Sequence, residues 1–201
     1  MSQAIASRPL VSLALPDSRA ARLLAQALLA VGGTLLLTLS AKTKVVLGPV
    51  DMSLQTLAVL LIAACFGMRL GLATLLLYLA EGAMGLPVFQ SSPEKGIGLA
   101  YMVGPTGGYL IGFAVMAAIV GYAADRGWDR NVVKLLGAML VAEVAMMALG
   151  FGWLAVLIGA EKAWTFGVVP FILPDILKVA LAACLMPAGW AVLRGLGFGR
   201  P

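Results

Sequence analysis

The sequence predicts an all-α integral membrane protein with six transmembrane helices and both termini on the cytoplasmic side. Three observations carry that prediction. The 201 residues are 62% hydrophobic and only 11% charged, with a mean hydropathy of +1.02. A soluble domain carries roughly 25% charged residues to face water, so most of this chain's outer surface must face lipid. Apolar blocks long enough to cross a hydrocarbon layer of about 30 Å recur between short polar segments. The basic residues lie between those blocks and divide unequally between the two sides.

Residues 1–20 are mixed, with Arg8, Pro9, Pro16, Asp17, Ser18 and Arg19. They lack a compact apolar stretch ending in a cleavage site and read as a cytoplasmic lead-in, not a signal peptide. One transmembrane domain, residues 21–195, follows, and residues 196–201 form a cytoplasmic tail. The first span runs from about Arg22 to Ser40. Ala41–Ser53 is a polar stretch with Lys42, Lys44, Gly48, Pro49 and Asp51. The second block, Leu54–Phe66, is short, and Gly67-Met68-Arg69 separates it from the third, Leu70–Gly85. Leu86–Thr106 is a long loop rich in Ser, Pro and Gly.

The fourth block covers Gly107–Ala124, and Asp125–Arg130 is a charged turn. The fifth runs over Asn131–Gly150. Phe151–Val169 contains Glu161 and Lys162 and is either interfacial or an extension of the fifth helix. The sixth span covers Pro170–Leu193.

With the N-terminus inside, the inner side holds Arg8, Arg19, Arg22, Arg69, Arg126, Arg130, Lys134, Arg194 and Arg200. The outer side holds Lys42, Lys44, Lys95 and Lys162, and Lys178 falls inside a span. This bias favours both termini inside and an even number of helices. It also puts the two long polar loops outside, where a solute would be captured.

Several function classes drop out. The net charge of +5 forms no basic stripe interleaved with aromatics, so nucleic acid is not an expected partner. The chain has no histidine, which removes His-based zinc sites, His-ligated haem and Ser-His catalysis. Cys65 and Cys184 lie in apolar runs and read as small hydrophobic residues. A channel would show polar rings through the full depth, and the sequence lacks them.

The strongest local signal is Pro174-Asp175-Ile176-Leu177-Lys178. Asp175 and Lys178 are spaced i, i+3 and share one helix face. Such a pair is either a ligand site or an Asp favoured at a helix N-terminus beside a snorkelling Lys. As a ligand site it suits a neutral polar ring, with the carboxylate accepting from ring N–H groups and the ammonium donating to a carbonyl.

A second signal is Gly104-Pro105-Thr106-Gly107-Gly108-Tyr109-Leu110-Ile111-Gly112-Phe113. Gly108 and Gly112 form a small-residue face that lets another backbone approach. The Gly-Lys-Ser/Thr of a phosphate loop is missing. Tyr109 belongs to that packing or lines a cavity. Ala21-x-x-x-Ala25 on the first span serves internal packing or a partner interface. Glu81 lies near the outer end of the third helix, in reach of interfacial water. Glu143 lies deeper and needs a partner or a proton.

Four phrases in consistent order resemble the BioY family, the biotin-binding S-components of energy-coupling factor (ECF) transporters. They are Ser53-Leu54-Gln55-Thr56-Leu57, Gly85-Leu86-Pro87-Val88-Phe89, Gly104-Pro105-Thr106-Gly107-Gly108-Tyr109 and Pro170-Phe171-Ile172-Leu173-Pro174-Asp175-Ile176-Leu177-Lys178. The resemblance covers about Ala41 to Leu193. It implies a six-helix S-component fold and capture of biotin at the outer side of a bacterial cytoplasmic membrane. In that reading Asp175 and Lys178 contact the vitamin's head group. Tyr109, Gly108 and Gly96 complete the expected substrate-binding set.

Some family members use an asparagine in the loop before the Gly-Pro-Thr phrase. This chain has Ser91-Ser92-Pro93-Glu94-Lys95-Gly96-Ile97-Gly98 there, so backbone groups, Ser92, Glu94 or Lys95 would replace that contact. The resemblance further implies a transmembrane coupling protein (the T-component), met by Ala21 and Ala25, and two ABC-type ATPase subunits. It implies no cofactor and no enzymatic activity. The competing expectations are an S-component for a different vitamin and, in another class, an intramembrane enzyme using a Ser–Lys or paired-carboxylate scheme.

Overall fold

Long runs of Leu, Ala, Val and Met favour helices here, because lipid offers no partners for backbone groups and an α-helix satisfies its own. The computed structural model describes residues 9–13, 15–46 and 51–195. The expected tail and the first eight residues of the lead-in lie outside the described residues. After a 3-10 turn at Leu10–Leu13, helix α1 spans Arg19–Lys42. Ser18 caps it, its side chain accepting from the Ala21 N–H at 3.2 Å.

The expected polar stretch after α1 contains a two-stranded antiparallel pair, β1 (Lys44–Val46) and β2 (Asp51–Ser53), with Lys44 opposite Ser53. Helix α2 covers Gln55–Ala83. The expected loop 86–106 holds a short helix, α3 (Gly98–Met102), and leads into α4 (Gly107–Asp125). A 3-10 turn at Trp128–Arg130 precedes α5 (Val132–Ile158). Helix α6 (Ala160–Gly167), a 3-10 turn at Val169–Phe171 and α7 (Ile172–Gly195) complete the described chain.

One sequence boundary needs refinement. The fifth helix does not stop near Gly150. It continues to Ile158, because the residues after Gly150 stay apolar until Gly159, whose φ of 88° and ψ of 151° end it. The segment expected to be ambiguous therefore splits between α5 and the separate helix α6.

Among the described residues five stretches are long and apolar enough to cross a membrane: Arg19–Lys42, Gln55–Ala83, Gly107–Asp125, Val132–Ile158 and Ala160–Leu193. The expected second and third spans form one helical run that folds back on itself. Gly67 breaks it with φ 74° and ψ 179°, a backbone region that is essentially glycine-only. A Cβ on Gly71 would sit 3.2 Å from the Cα of Ala63, and Gln55 Nε2 donates to Tyr78 Oη at 3.1 Å. A straight helix would hold Gln55 and Tyr78 about 35 Å apart. The halves 55–66 and 68–83 are thus antiparallel.

The Gly67 turn docks on the end of α4, where the Met68 N–H donates to Asp125 Oδ2 at 3.2 Å. Trp190 Nε1 donates to the buried Asp129 at 2.5 Å, bringing the end of α7 to the same end of the bundle. Arg69, Arg126, Arg130 and Lys134 gather there by position. Lys42, Lys44, Lys95 and Lys162 belong to the opposite end. The core lies among α2, α4, α5 and α7, with Leu60, Leu75, Tyr78, Met116, Met139 and Val179 buried. Leu23, Leu24, Leu28 and Leu35 of α1 and Val141 and Val144 of α5 stay exposed, as lipid-facing residues do.

Candidate functional site

Helix α7 carries Asp175 in its first turn. Lys178 Nζ donates to Asp175 Oδ1 at 2.8 Å, and Asp175 is only 3% exposed. A buried ion pair inside a span is favourable when the geometry is good and further polar partners exist. Both side chains line a cavity of about 370 Å³, within the roughly 300–1,000 Å³ of small-ligand pockets.

The cavity's other walls come from several elements. Ser53 and Thr56 stand where β2 meets α2, and Gln90 and Lys95 come from the 86–97 loop. Tyr109 and Phe113 project from α4, Met146 and Met147 from α5, and Phe166 from α6. The polar groups therefore cluster against an apolar wall.

The loop is held by contacts with α1, α2 and α3. Phe89 is buried, stacking on Tyr101 at 5.0 Å and meeting Tyr78 edge-on at 5.5 Å. Tyr78 Oη donates to the Val88 carbonyl at 2.9 Å. Lys42 Nζ donates to the Ser92 carbonyl and, at 3.2 Å, to its hydroxyl, clipping the end of α1 to the loop. Across the cavity, Tyr109 Oη donates to the Gly167 carbonyl at 2.7 Å, joining α4 to α6. Trp153 Nε1 donates to the Gly104 carbonyl at 2.9 Å and fixes the chain before α4.

Of the expected binding residues, Asp175, Lys178 and Tyr109 come together at this cavity. Gly108 and Gly96 are not among its lining residues. Gly108 lets α4 approach α5, since a Cβ there would clash with the Leu149 carbonyl and with Trp153. Gly96, at φ +103°, turns the chain directly after Lys95. Ser92 is buried and engaged by Lys42 and the Phe89 carbonyl, and Glu94 is exposed.

Sequence reasoning missed Gln90, placed by the loop path, and Thr56, placed by how α2 starts against the cavity. Glu81 does not face interfacial water alone: it accepts from the buried Thr34 hydroxyl at 3.0 Å. Ala21 is exposed and Ala25 half-buried on α1.

The site offers a carboxylate acceptor, an ammonium, hydroxyls and an amide around an apolar volume. Such a lining is chemically complementary to a polar head joined to an apolar body. The BioY family profile matches residues 11–195. The chain belongs to the BioY family.

Named relatives of this BioY-family chain agree. The probable biotin transporter BioY of Pyrococcus horikoshii is 37% identical over 150 residues, spanning 75% of this chain and 86% of its own length. The biotin transporter BioY of Thermotoga maritima is 35% identical over 153 residues, or 76% and 88% of the two chains. The crystal structure of an S-component for biotin from an ECF-type ABC transporter shares the fold. Its TM-score is 0.71 at 19% identity, covering 86% of this BioY-family chain and 94% of that one.

Proposed function

We propose that this BioY-family chain is the S-component that captures biotin at the outer side of the membrane for an ECF-type transporter. The observation that carries the reading is the buried Asp175–Lys178 pair at the wall of an otherwise largely apolar cavity. Biotin's ureido ring has N–H groups for Asp175 to accept and a carbonyl for Lys178 to donate to. Its aliphatic chain suits the Phe113, Met146 and Phe166 wall. Lys95 takes the terminal carboxylate, and the Gln90 amide replaces the asparagine contact that the loop lacks. The names of the relatives support the choice of vitamin.

In this reading the two halves of α2 each count as a span, giving six helices with both termini inside. The antiparallel halves and the gathering of basic residues at the Gly67 end support it. The membrane is the bacterial cytoplasmic membrane. A T-component and two ABC-type ATPase subunits supply the energy, with Ala21 and Ala25 on the coupling face of α1. The chain performs no covalent chemistry and needs no cofactor.

Co-reconstitution into liposomes tests this assignment. Labelled biotin is expected to accumulate only with ATP and with the T-component and ATPases present. Accumulation of another vitamin in place of biotin would overturn the assignment.

A further inference from the structure

Asp175 is approached from two sides. Lys178 holds Oδ1 from within α7. From α5, Glu143 lines the same lateral cavity as Asp175. Glu143 is 8% exposed, and no described donor reaches either of its carboxyl oxygens. Two carboxylate oxygens are both acceptors, so they bond only when one of them carries a proton.

That second cavity, of about 480 Å³, lies between α5, α6 and α7, and its other walls include Val144, Phe151, Trp164 and Ile172. Asp175 is thus shared by the two cavities. An ionised Glu143 would set two carboxylates against the single Lys178 ammonium among apolar helices, a costly arrangement.

We propose that Glu143 is a positioning residue of the capture site: as a neutral acid it donates its proton to Asp175 and, opposite Lys178, holds that carboxylate where the ligand meets it. This rests on the reading of Asp175 and Lys178 as the head-group site. The charged groups facing Glu143 are Asp175 and Lys178 of α7. Tyr109 of α4 lines the far cavity with Asp175 and commits its hydroxyl to Gly167. Glu161 and Lys162 of α6 are exposed. Asp129 and Arg130 lie at the other end, against Trp190. An ionised Glu143 would place a second negative charge beside Asp175 and weaken capture.

Two measurements test the proposal. Infrared spectra of the ligand-free protein are expected to show the carbonyl band of a protonated carboxylic acid. That band disappears in Glu143→Gln and persists in Asp175→Asn. Biotin binding across a pH series is expected to weaken at high pH in the parent protein. Glu143→Gln, whose amide still donates, binds within about twofold of the parent and loses the pH dependence; Glu143→Ala binds about tenfold more weakly. A band that survives Glu143→Gln, or a parent pH profile retained by that variant, overturns the proposal. If folded parent protein binds no biotin, the functional reading fails, and the infrared band still decides whether Glu143 holds the proton.

Discussion

The Tyr109 hydroxyl donates to the Gly167 carbonyl at 2.7 Å, so one hydrogen bond joins the first turn of α4 to the last residue of α6 across the cavity. It fixes a wall of the site without needing a charge. Removing the hydroxyl in Tyr109→Phe leaves the Gly167 carbonyl unsatisfied in a half-buried place. A lost hydrogen bond of this kind is worth about 1 kcal/mol. Biotin affinity should fall by about fivefold with the amount of folded protein unchanged, as read by calorimetric titration beside size-exclusion chromatography.

Asp175 and Lys178 act as a unit, so removing either leaves the other buried without its counter-charge. Asp175→Asn and Lys178→Met should each weaken biotin binding by about 10- to 100-fold, the range expected for a charged hydrogen bond. The double variant should bind about as weakly as either single one. Simple additivity in a double-mutant cycle would show that the two residues contribute separately.

Gly67 is where α2 reverses. At φ 74° and ψ 179° only glycine is unstrained, and a Cβ would clash with Asp125. Gly67→Ala should destabilise the protein by at least about 2 kcal/mol. A lower Tm in detergent, with any remaining folded fraction still binding biotin, is the expected result.

Asp129 lies outside the spans, is fully buried and accepts from Trp190. Burial pushes its carboxyl above the usual carboxylate range, with the Trp190 hydrogen bond and Arg130 opposing. A folded-state value raised above the unfolded one means that the stabilising contribution is full below the ordinary carboxylate value. It is lost as pH rises through the raised value. Asp129→Asn keeps an oxygen for Trp190 and removes the charge. Thermal melts between about pH 4 and pH 8 should therefore show a smaller decline with pH in the variant than in the parent.

The pairing of Asp175 with Lys178 was legible in the sequence because the i, i+3 spacing places both charges on one helix face. The Gly67 boundary was legible too, since a glycine followed by an arginine interrupts two apolar runs. Gly108 was legible as a small-residue position, but spacing along one helix does not say which neighbour that face meets, and it meets α5. Gln90 and Thr56 reach the cavity through the path of the chain around Phe89 and through the start of α2. Neither is encoded in a local period. Glu143 was visible as a buried charge, yet its proximity to Asp175 depends on how α5 and α7 cross. The sequence left open whether residues 151–169 extend the fifth helix; α5 does extend to Ile158, and the stop at Gly159 depends on backbone angles that no local spacing reveals.

Equilibrium binding of labelled biotin to the purified chain alone tests the central claim most directly. The account predicts saturable binding at one site per chain, displaced by unlabelled biotin, unaffected by an unrelated vitamin and weakened in Asp175→Asn. Folded protein that shows no saturable biotin binding, or that releases biotin equally to another vitamin, would contradict it.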